Sequence, residues 1–222
     1  MPSGIGKPNS QTDELFVKGY TSSHIRNISA VLKEAENISF QGQQSNDMKT
    51  YHQLVDTNFL SKKDIWYLSP DLKGNSVFTN ILNQEDWKLV HTYLGPKGYL
   101  KRCHIYWSLP QDENDLHQYG WHYDIDDYRF VKLFVYLSDV GEENGPHEIF
   151  TTVGSRFFRF FHRRVSHGLL TKKYGSDCVL SLTGLKGTSF WEDTFLYHRG
   201  KLPKKPRCIL QFEFGISSDF SC

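Results

Sequence analysis

The chain has little cysteine, no excess of either charge and no long apolar run, and each absence excludes a class of protein. Four cysteines occur in 222 residues and none forms a C-x-x-C pair, so neither a zinc knuckle nor a dense disulfide framework is predicted. The 26 basic and 25 acidic residues give a net charge of +1, which provides no global field for nucleic acid or anionic membranes. No apolar stretch approaches the roughly 18 residues that cross a bilayer.

The cellular compartment is predicted from the same absences. The segment Met1 to Gly6 lacks the charged and apolar regions of a signal peptide, so we expect a cytoplasmic protein. In that compartment the cysteines are expected to be free thiols. They are Cys103, Cys178, Cys208 and Cys222. The expected partner is a small-molecule substrate, with no nucleic acid and no membrane span.

The length suits one domain over residues 1–222, because all-β barrels commonly run to about 200–250 residues. Residues 1–95 are predicted to form a helical and loop-rich support, and residues 96–222 the barrel core. Apolar residues at spacings of three and four predict an amphipathic helix over Thr21 to Glu36. A second helix is predicted over Asn83 to Leu94, where Gly95-Pro96 supplies a stop.

Beyond Tyr99 the apolar period changes to two, which predicts strands. Three segments alternate in this way, each with one apolar and one mixed face. They are Arg102 to Leu109, Val131 to Ser138 and Arg207 to Phe214. In an open sheet the mixed faces would be solvated, whereas in a jelly roll some of them line a pocket between two sheets.

A histidine and an aspartate stand two positions apart in Trp121-His122-Tyr123-Asp124, and His198 lies 76 positions beyond His122. Residues i and i+2 of a strand project from one face, so His122 and Asp124 are able to converge on one ion. Two imidazoles and one carboxylate are the ligand set of non-heme Fe(II) oxygenases, with one face of the octahedron open. The bare pair also fits a turn or a capping residue, so the flanking sequence has to decide.

Two flanking blocks closely resemble the phytanoyl-CoA dioxygenase family of Fe(II)/2-oxoglutarate-dependent oxygenases in the order and spacing of their residues. The blocks contain Trp121 to Asp124, Val131 to Val140 and Glu142 to Pro146, then Gly187 to Trp191, Leu196 to Gly200, Pro203 and Arg207 to Gln211. The chain departs from the family where Val153-Gly154-Ser155-Arg156 replaces a Pro-Gly-Ser-His stretch. Residues before Tyr99 do not take part in the resemblance.

The resemblance implies a mainly β fold with flanking helices, a double-stranded β-helix (jelly-roll, cupin-like) barrel. It implies that His122, Asp124 and His198 bind Fe(II), with 2-oxoglutarate and O2 as cosubstrates. The implied reaction hydroxylates a small metabolite or biosynthetic intermediate and releases succinate and CO2. Asp124 favours hydroxylation over halogenation, because related halogenases lack this carboxylate.

Arg207 is the candidate ligand of 2-oxoglutarate. A guanidinium pairs with a carboxylate in a fixed bidentate geometry, and an arginine at this place has that role in the family. The alternative is a surface arginine at the start of a strand, beside Lys204-Lys205-Pro206. Lys132, His104 and Tyr106 are candidates for further contacts to 2-oxoglutarate or substrate, or are satisfied interior polar residues.

Two other functions stay open at this point. The first is a metal-binding jelly-roll module without turnover. The second is a phosphate- or anion-binding protein that uses the basic and aromatic run from Arg156 to Arg164, a run that also fits a packed helix or loop. Four further histidines form no second ligand motif and are interpreted as polar surface or loop residues. They are His117, His147, His162 and His167.

Overall fold

The computed structural model describes residues 10–56, 64–110, 120–151 and 163–218, and within these ranges two antiparallel sheets are accompanied by six α-helices. The helices are α1 (Gln11–Lys18), α2 (Ile28–Ala35), α3 (Tyr51–Val55), α4 (Ser76–Thr79), α5 (Gln84–Leu94) and α6 (His167–Tyr174). The strands are β1 (Tyr20–His24), β2 (Ser39–Gly42), β3 (Met48–Thr50), β4 (Trp66–Leu68), β5 (Tyr99–Ser108), β6 (Trp121–His122), β7 (Phe130–Tyr136), β8 (His147–Phe150), β9 (Arg164–Val165), β10 (Val179–Leu182), β11 (Thr188–Glu192), β12 (His198–Gly200) and β13 (Arg207–Gly215).

The two sheets differ in size and in strand order. The larger has eight strands in the order β1-β11-β7-β13-β5-β4-β2-β3, and the smaller has five in the order β10-β8-β12-β6-β9. Sequence neighbours are mostly separated in both sheets, as expected when strands alternate between the two layers of a jelly roll. The fold class predicted from the sequence is therefore confirmed.

The main hydrophobic core lies between the helices and one face of the larger sheet. The three predicted alternating segments correspond to β5, β7 and β13, and the apolar face of each is buried in this core. The core residues that these three strands contribute are Cys103, Ile105, Trp107, Val131, Leu133, Val135, Cys208, Leu210, Phe212 and Phe214. Burial of apolar area at about 25 cal/mol per Å² makes this face the main source of stability.

The mixed faces of the same strands turn towards the smaller sheet. Phe134 and Tyr136 of β7 pack with Phe190 of β11 and Ile209 of β13 in a second cluster, against which Leu182 of the smaller sheet is packed. The hydroxyl of Tyr136 donates to the carbonyl oxygen of Leu182 at 2.6 Å. The second of the two sequence alternatives, in which the mixed faces lie inside a jelly roll, is the one observed.

The N-terminal part contributes four strands to the larger sheet as well as its helices. Helix α5 ends at Leu94 as predicted and begins one residue later than predicted, because Asn83 is the cap and its side chain accepts from the amides of Glu85 and Asp86. The helix predicted over Thr21 to Glu36 is wrong in its first part, because β1 occupies Tyr20–His24 and pairs with β11. The left-handed backbone of Asn27 (φ 58°) separates that strand from α2.

None of the helices in the described ranges is long and apolar enough to span a membrane.

A buried ion pair fixes the loop between β6 and β7. The carboxylate of Asp127 accepts hydrogen bonds from the amides of Ile216 and Ser217 at 2.9 and 2.8 Å, and from the Lys101 ammonium at 3.1 Å. The same ammonium donates to the carbonyl oxygen of Asp126 at 2.9 Å. These bonds join the loop to the end of β13 and the start of β5.

We expect Asp127→Asn to destabilise the fold at neutral pH. Burial opposes ionisation, but the Ser217 amide, the Lys101 ammonium and other donors hold the pKa of Asp127 below its ordinary 3.8. A depressed folded-state pKa contributes stability that is present above pH 3.8 and is lost as the pH falls through the lower folded value. The difference in unfolding free energy between wild type and variant should therefore shrink below about pH 4. Urea titrations at pH 7 and pH 3 measure it, and an equal difference at both would contradict this account.

Candidate metal centre

The two histidines of the predicted site are direct cross-strand neighbours. His122 ends β6 and lies opposite His198, the first residue of β12, in the antiparallel pairing. Residues opposite each other in such a pair point to the same face, so the two imidazoles lie side by side with ring centroids 4.5 Å apart. The register of the smaller sheet thus brings together two histidines that are 76 positions apart in the sequence.

Asp124 reaches the two histidines from the loop that follows β6. The strand ends at His122, so the predicted convergence on one continuous strand is wrong in detail, while the convergence itself is observed. The amide of Asp124 donates to the carbonyl oxygen of Thr194 at 2.9 Å, which fixes the loop. The carboxylate lies 3.8 Å from Nε2 of His122 and 3.5 Å from Nε2 of His198. Together the three side chains offer ligand atoms within 4.8 Å of one another.

Backbone carbonyls orient both imidazoles. Nδ1 of His122 lies 2.9 Å from the carbonyl oxygen of Gly120, and Nδ1 of His198 lies 3.0 Å from that of Leu196. A carbonyl oxygen only accepts, so each Nδ1 carries the proton of its bond and each Nε2 is left to bind an ion. This is the arrangement by which outer partners orient metal-ligating histidines.

The protonation of the triad suits a cation. Burial, followed by the charge of His198, lowers the pKa of His122 to about 4, so this imidazole is neutral at pH 7. Burial lowers the pKa of His198 too, but the neighbouring carboxylates of Asp124 and Glu192 outweigh it and raise that pKa to about 9. Burial also opposes ionisation of Asp124, yet Lys132 and His198 hold its pKa well below the ordinary value. Without an ion, His198 therefore carries a proton between two carboxylates at pH 7, and a bound cation would take the place of the proton on its Nε2.

Lys132 lies beside the triad. Its ammonium is buried and lies 2.7 Å from Oδ2 of Asp124 and 2.5 Å from Oδ2 of Asp126. Burial disfavours the charged amine, but Asp124 and Asp126 raise the pKa of Lys132, so the amine is charged. Lys132 thus neutralises one negative charge beside the triad, a contact that the sequence alone does not indicate.

Arg207 is buried rather than at the surface. One terminal nitrogen donates to the carbonyl oxygen of Gly145, and the other donates to Oγ of Ser108 at 3.2 Å. Gly200 follows His198 by two positions on β12, and a Cβ there would lie 2.6 Å from Nη2 of Arg207. The arginine is thus packed between the sheets against the strand that carries His198, and the surface alternative does not apply.

Tyr106 and His104 lie on the same mixed face of β5 but have different surroundings. Burial raises the pKa of Tyr106, and Lys132 and Glu213 are among the charges that act on it. Nδ1 of His104 is 3.2 Å from the carbonyl oxygens of Ser69 and Pro70. Tyr106 therefore lies on the inner face of the larger sheet, in register with Ile209 and Tyr136, whereas His104 is engaged with the segment after β4.

Two residues beside the triad were missed or misjudged. The sequence predicts a surface or loop position for His147, which is wrong: His147 is buried at the start of β8 and stacks on His198 with ring centroids 5.5 Å apart. Glu192 is buried at the end of β11, with Oε2 2.7 Å from Nε2 of His147. The available signal was a glutamate at the end of an otherwise uncharged strand, six positions before the distal histidine.

Several predictions lie outside the described residues. They concern His117, His162, the Val153 to Arg156 departure and most of the Arg156 to Arg164 run. His167 is described and is helical, and its Nδ1 accepts from the indole nitrogen of Trp121 at 3.1 Å.

Comparison with solved structures shows what this fold is similar to. HygX from Streptomyces hygroscopicus with nickel and 2-oxoglutarate bound has a TM-score of 0.61 and 15% identity, covering 96% of this chain and 89% of that one. EctD from S. alaskensis with 2-oxoglutarate and 5-hydroxyectoine has a TM-score of 0.60 and 15% identity, covering 96% and 78%. AviO1 from Streptomyces viridochromogenes Tue57 has a TM-score of 0.54 and 12% identity, covering 99% of both chains. At these identities the likeness shows a shared fold.

The sequence matches no protein-family model and no curated protein sequence.

We expect the triad to bind one divalent cation. Asp124→Ala and His198→Ala each remove a ligand, and we expect at least about a hundredfold weaker Co(II) binding by calorimetry than in wild type, more than the loss of an outer partner costs. His24→Ala, at an exposed histidine on the end of β1, is the control and should bind Co(II) as wild type does. Equal affinity in the triad variants would remove these residues from the site.

Proposed function

We propose that this protein is an Fe(II)- and 2-oxoglutarate-dependent dioxygenase that hydroxylates a small molecule and releases succinate and CO2. The observation that carries the proposal is the convergence of two imidazole Nε2 atoms and one carboxylate, inside a jelly roll, on one point. Two histidines and one carboxylate bind Fe(II) while leaving positions open for other ligands.

The residues fit the ion in number, type and charge. His122, Asp124 and His198 would hold it, with both Nδ1 atoms turned away to backbone carbonyls. When bound, Fe(II) supplies the oxidative decarboxylation of 2-oxoglutarate with O2 and the oxidation of a substrate C–H bond. The chain's own part is to position the cosubstrate and the substrate and to exclude water from the space between the sheets.

Arg207 supports the cosubstrate assignment. It is a buried guanidinium, and its packing against Gly200 places it near the strand that begins at His198. The 5-carboxylate of 2-oxoglutarate would pair with it, and Ser108 would add a hydroxyl. Lys132 contacts the carboxylate of the metal ligand Asp124. Its first assigned role is therefore to neutralise that carboxylate, before any contact to 2-oxoglutarate. Tyr106 is retained as a candidate contact to the substrate.

The similar structures support the same assignment. HygX has been solved with nickel, 2-oxoglutarate and hygromycin B, and EctD with 2-oxoglutarate and 5-hydroxyectoine. Both hold small polar molecules together with the cosubstrate. We propose a small-molecule substrate for this chain on that basis and on the polar groups beside the triad.

Succinate formation tests the reaction. Protein reconstituted anaerobically with Fe(II) and then given O2 and 2-oxoglutarate should form succinate, alone or with a panel of small molecules. Asp124→Ala should reduce this to background because one ligand is lost. Absence of succinate from wild type under all these conditions, with Co(II) binding intact, would leave a metal-binding module and refute the oxygenase.

Affinity for 2-oxoglutarate tests Arg207. Arg207→Ala should weaken 2-oxoglutarate binding to the Co(II)-loaded protein by about 3–5 kcal/mol, the cost of leaving a buried charge unpaired. Gly200→Ala should weaken it in the same direction, because its new Cβ displaces Nη2 of Arg207. Arg199→Ala is the control, since Arg199 pairs with Glu148 instead. Calorimetric titration gives all four affinities, and unchanged affinity in Arg207→Ala would refute the assignment.

A further inference from the structure

A second carboxylate lies behind the metal ligand His198. Glu192 is fully buried, its Oε1 is 3.9 Å from Nδ1 of His198, and its Oε2 is 2.7 Å from Nε2 of His147. The distance to His198 is too long for a hydrogen bond, and the Nδ1 proton is directed to the carbonyl of Leu196. Glu192 therefore acts on His198 through its charge, at short range and away from water.

His147 packs against this carboxylate, although among the described residues its Nε2 and the two carboxylate oxygens make no hydrogen bond of normal geometry. It lies on β8 opposite Gly200 of β12, and its ring is nearly parallel to that of His198, with an interplanar angle of 20°. Phe134 and Phe190 pack against the same ring, with centroids 4.9 and 5.5 Å away. Glu192 thus lies between two imidazoles whose positions are set by the sheets and by aromatic packing.

The charges around the metal centre indicate what the Glu192 carboxylate contributes. Asp124, Asp126 and Glu192 are acidic, and the ammonium of Lys132 contacts the first two and lies cross-strand from the third. These four groups carry a net charge of −2, which one divalent cation neutralises. Without Glu192 the other three groups would offset only one of the two positive charges of the cation, and an uncompensated buried charge costs free energy.

We propose that Glu192, packed against His147, is a positioning residue for His198 that provides the second buried negative charge required for tight binding of the divalent cation. The proposal rests on the metal site of the proposed function. Outer groups that accept the N–H of a metal-ligating histidine raise ligand basicity, and their loss typically costs about 10–100-fold in metal affinity; we expect a loss in that range for Glu192, which acts through its charge. Neither the H-x-D motif nor the distal histidine indicates this residue.

Glu192→Gln tests the charge while keeping the shape. We expect Co(II) binding, measured by calorimetry with the metal alone, to weaken about 10–100-fold relative to wild type. Glu192→Asp keeps the charge and should recover part of the affinity. The visible absorption spectrum of bound Co(II) should also change in Glu192→Gln, because the negative charge that acts on the ligand His198 is lost.

Glu148→Gln is the matched control. Glu148 is also a buried glutamate paired with a cation, 2.6 Å from Arg199, but it neighbours His147 on the opposite face of β8. Its loss should lower the melting temperature without changing Co(II) affinity or spectrum. His147→Gln is a second variant, which leaves the charge of Glu192 but removes the ring that packs against it. We expect it to weaken Co(II) binding less than Glu192→Gln does.

The outcomes separate the two proposals. If wild type binds no Co(II), the metal centre itself is wrong. If wild type binds Co(II) and Glu192→Gln binds it with the same affinity and spectrum, or if Glu148→Gln loses affinity equally, the role of Glu192 is refuted. If Glu192→Gln fails to fold, His147→Gln decides by the same titration, and a Co(II) affinity equal to that of wild type would refute the role of Glu192.

Discussion

The antiparallel register between β6 and β12 is the constraint on which the candidate site depends. It sets His122 opposite His198, and in each case the carbonyl two residues earlier, of Gly120 or Leu196, orients the ring. A slip of one residue would turn one imidazole to the other face of the sheet. The third ligand candidate, Asp124, lies on a loop. The hydrogen bond from the Asp124 amide to the carbonyl oxygen of Thr194 fixes that loop beside the two histidines.

The larger sheet separates stability from chemistry by its two faces. One face of β5, β7 and β13 is apolar and packs against the helices, and this burial stabilises the fold. The other carries Lys132, Arg207 and Glu213, whose burial costs free energy unless partners are close. Their neighbours are mostly oppositely charged groups and backbone carbonyls, so the inner face holds charge without weakening the core.

The sequence predicted those elements whose pattern is local. The three alternating strands follow from a period of two, and α5 follows from its apolar spacing and from the Asn83 cap. The prediction was wrong over Thr21 to His24, where spacings of three and four suggested a helix. There β1 forms because the edge of β11 accepts a strand, which no local pattern reports. His147 was misjudged for a similar reason, since its burial comes from pairing with β12.

The sequence by itself determined the alternation of apolar residues, the three metal-ligand candidates and the arginine that follows them, because residue type and spacing carry that information. Only the tertiary structure decided that Arg207 is buried, that Lys132 contacts Asp124 and that Glu192 and His147 lie behind His198. Such contacts join strands far apart in sequence. Their geometry depends on the register and packing of two sheets, which arise from the whole chain and not from any segment of it.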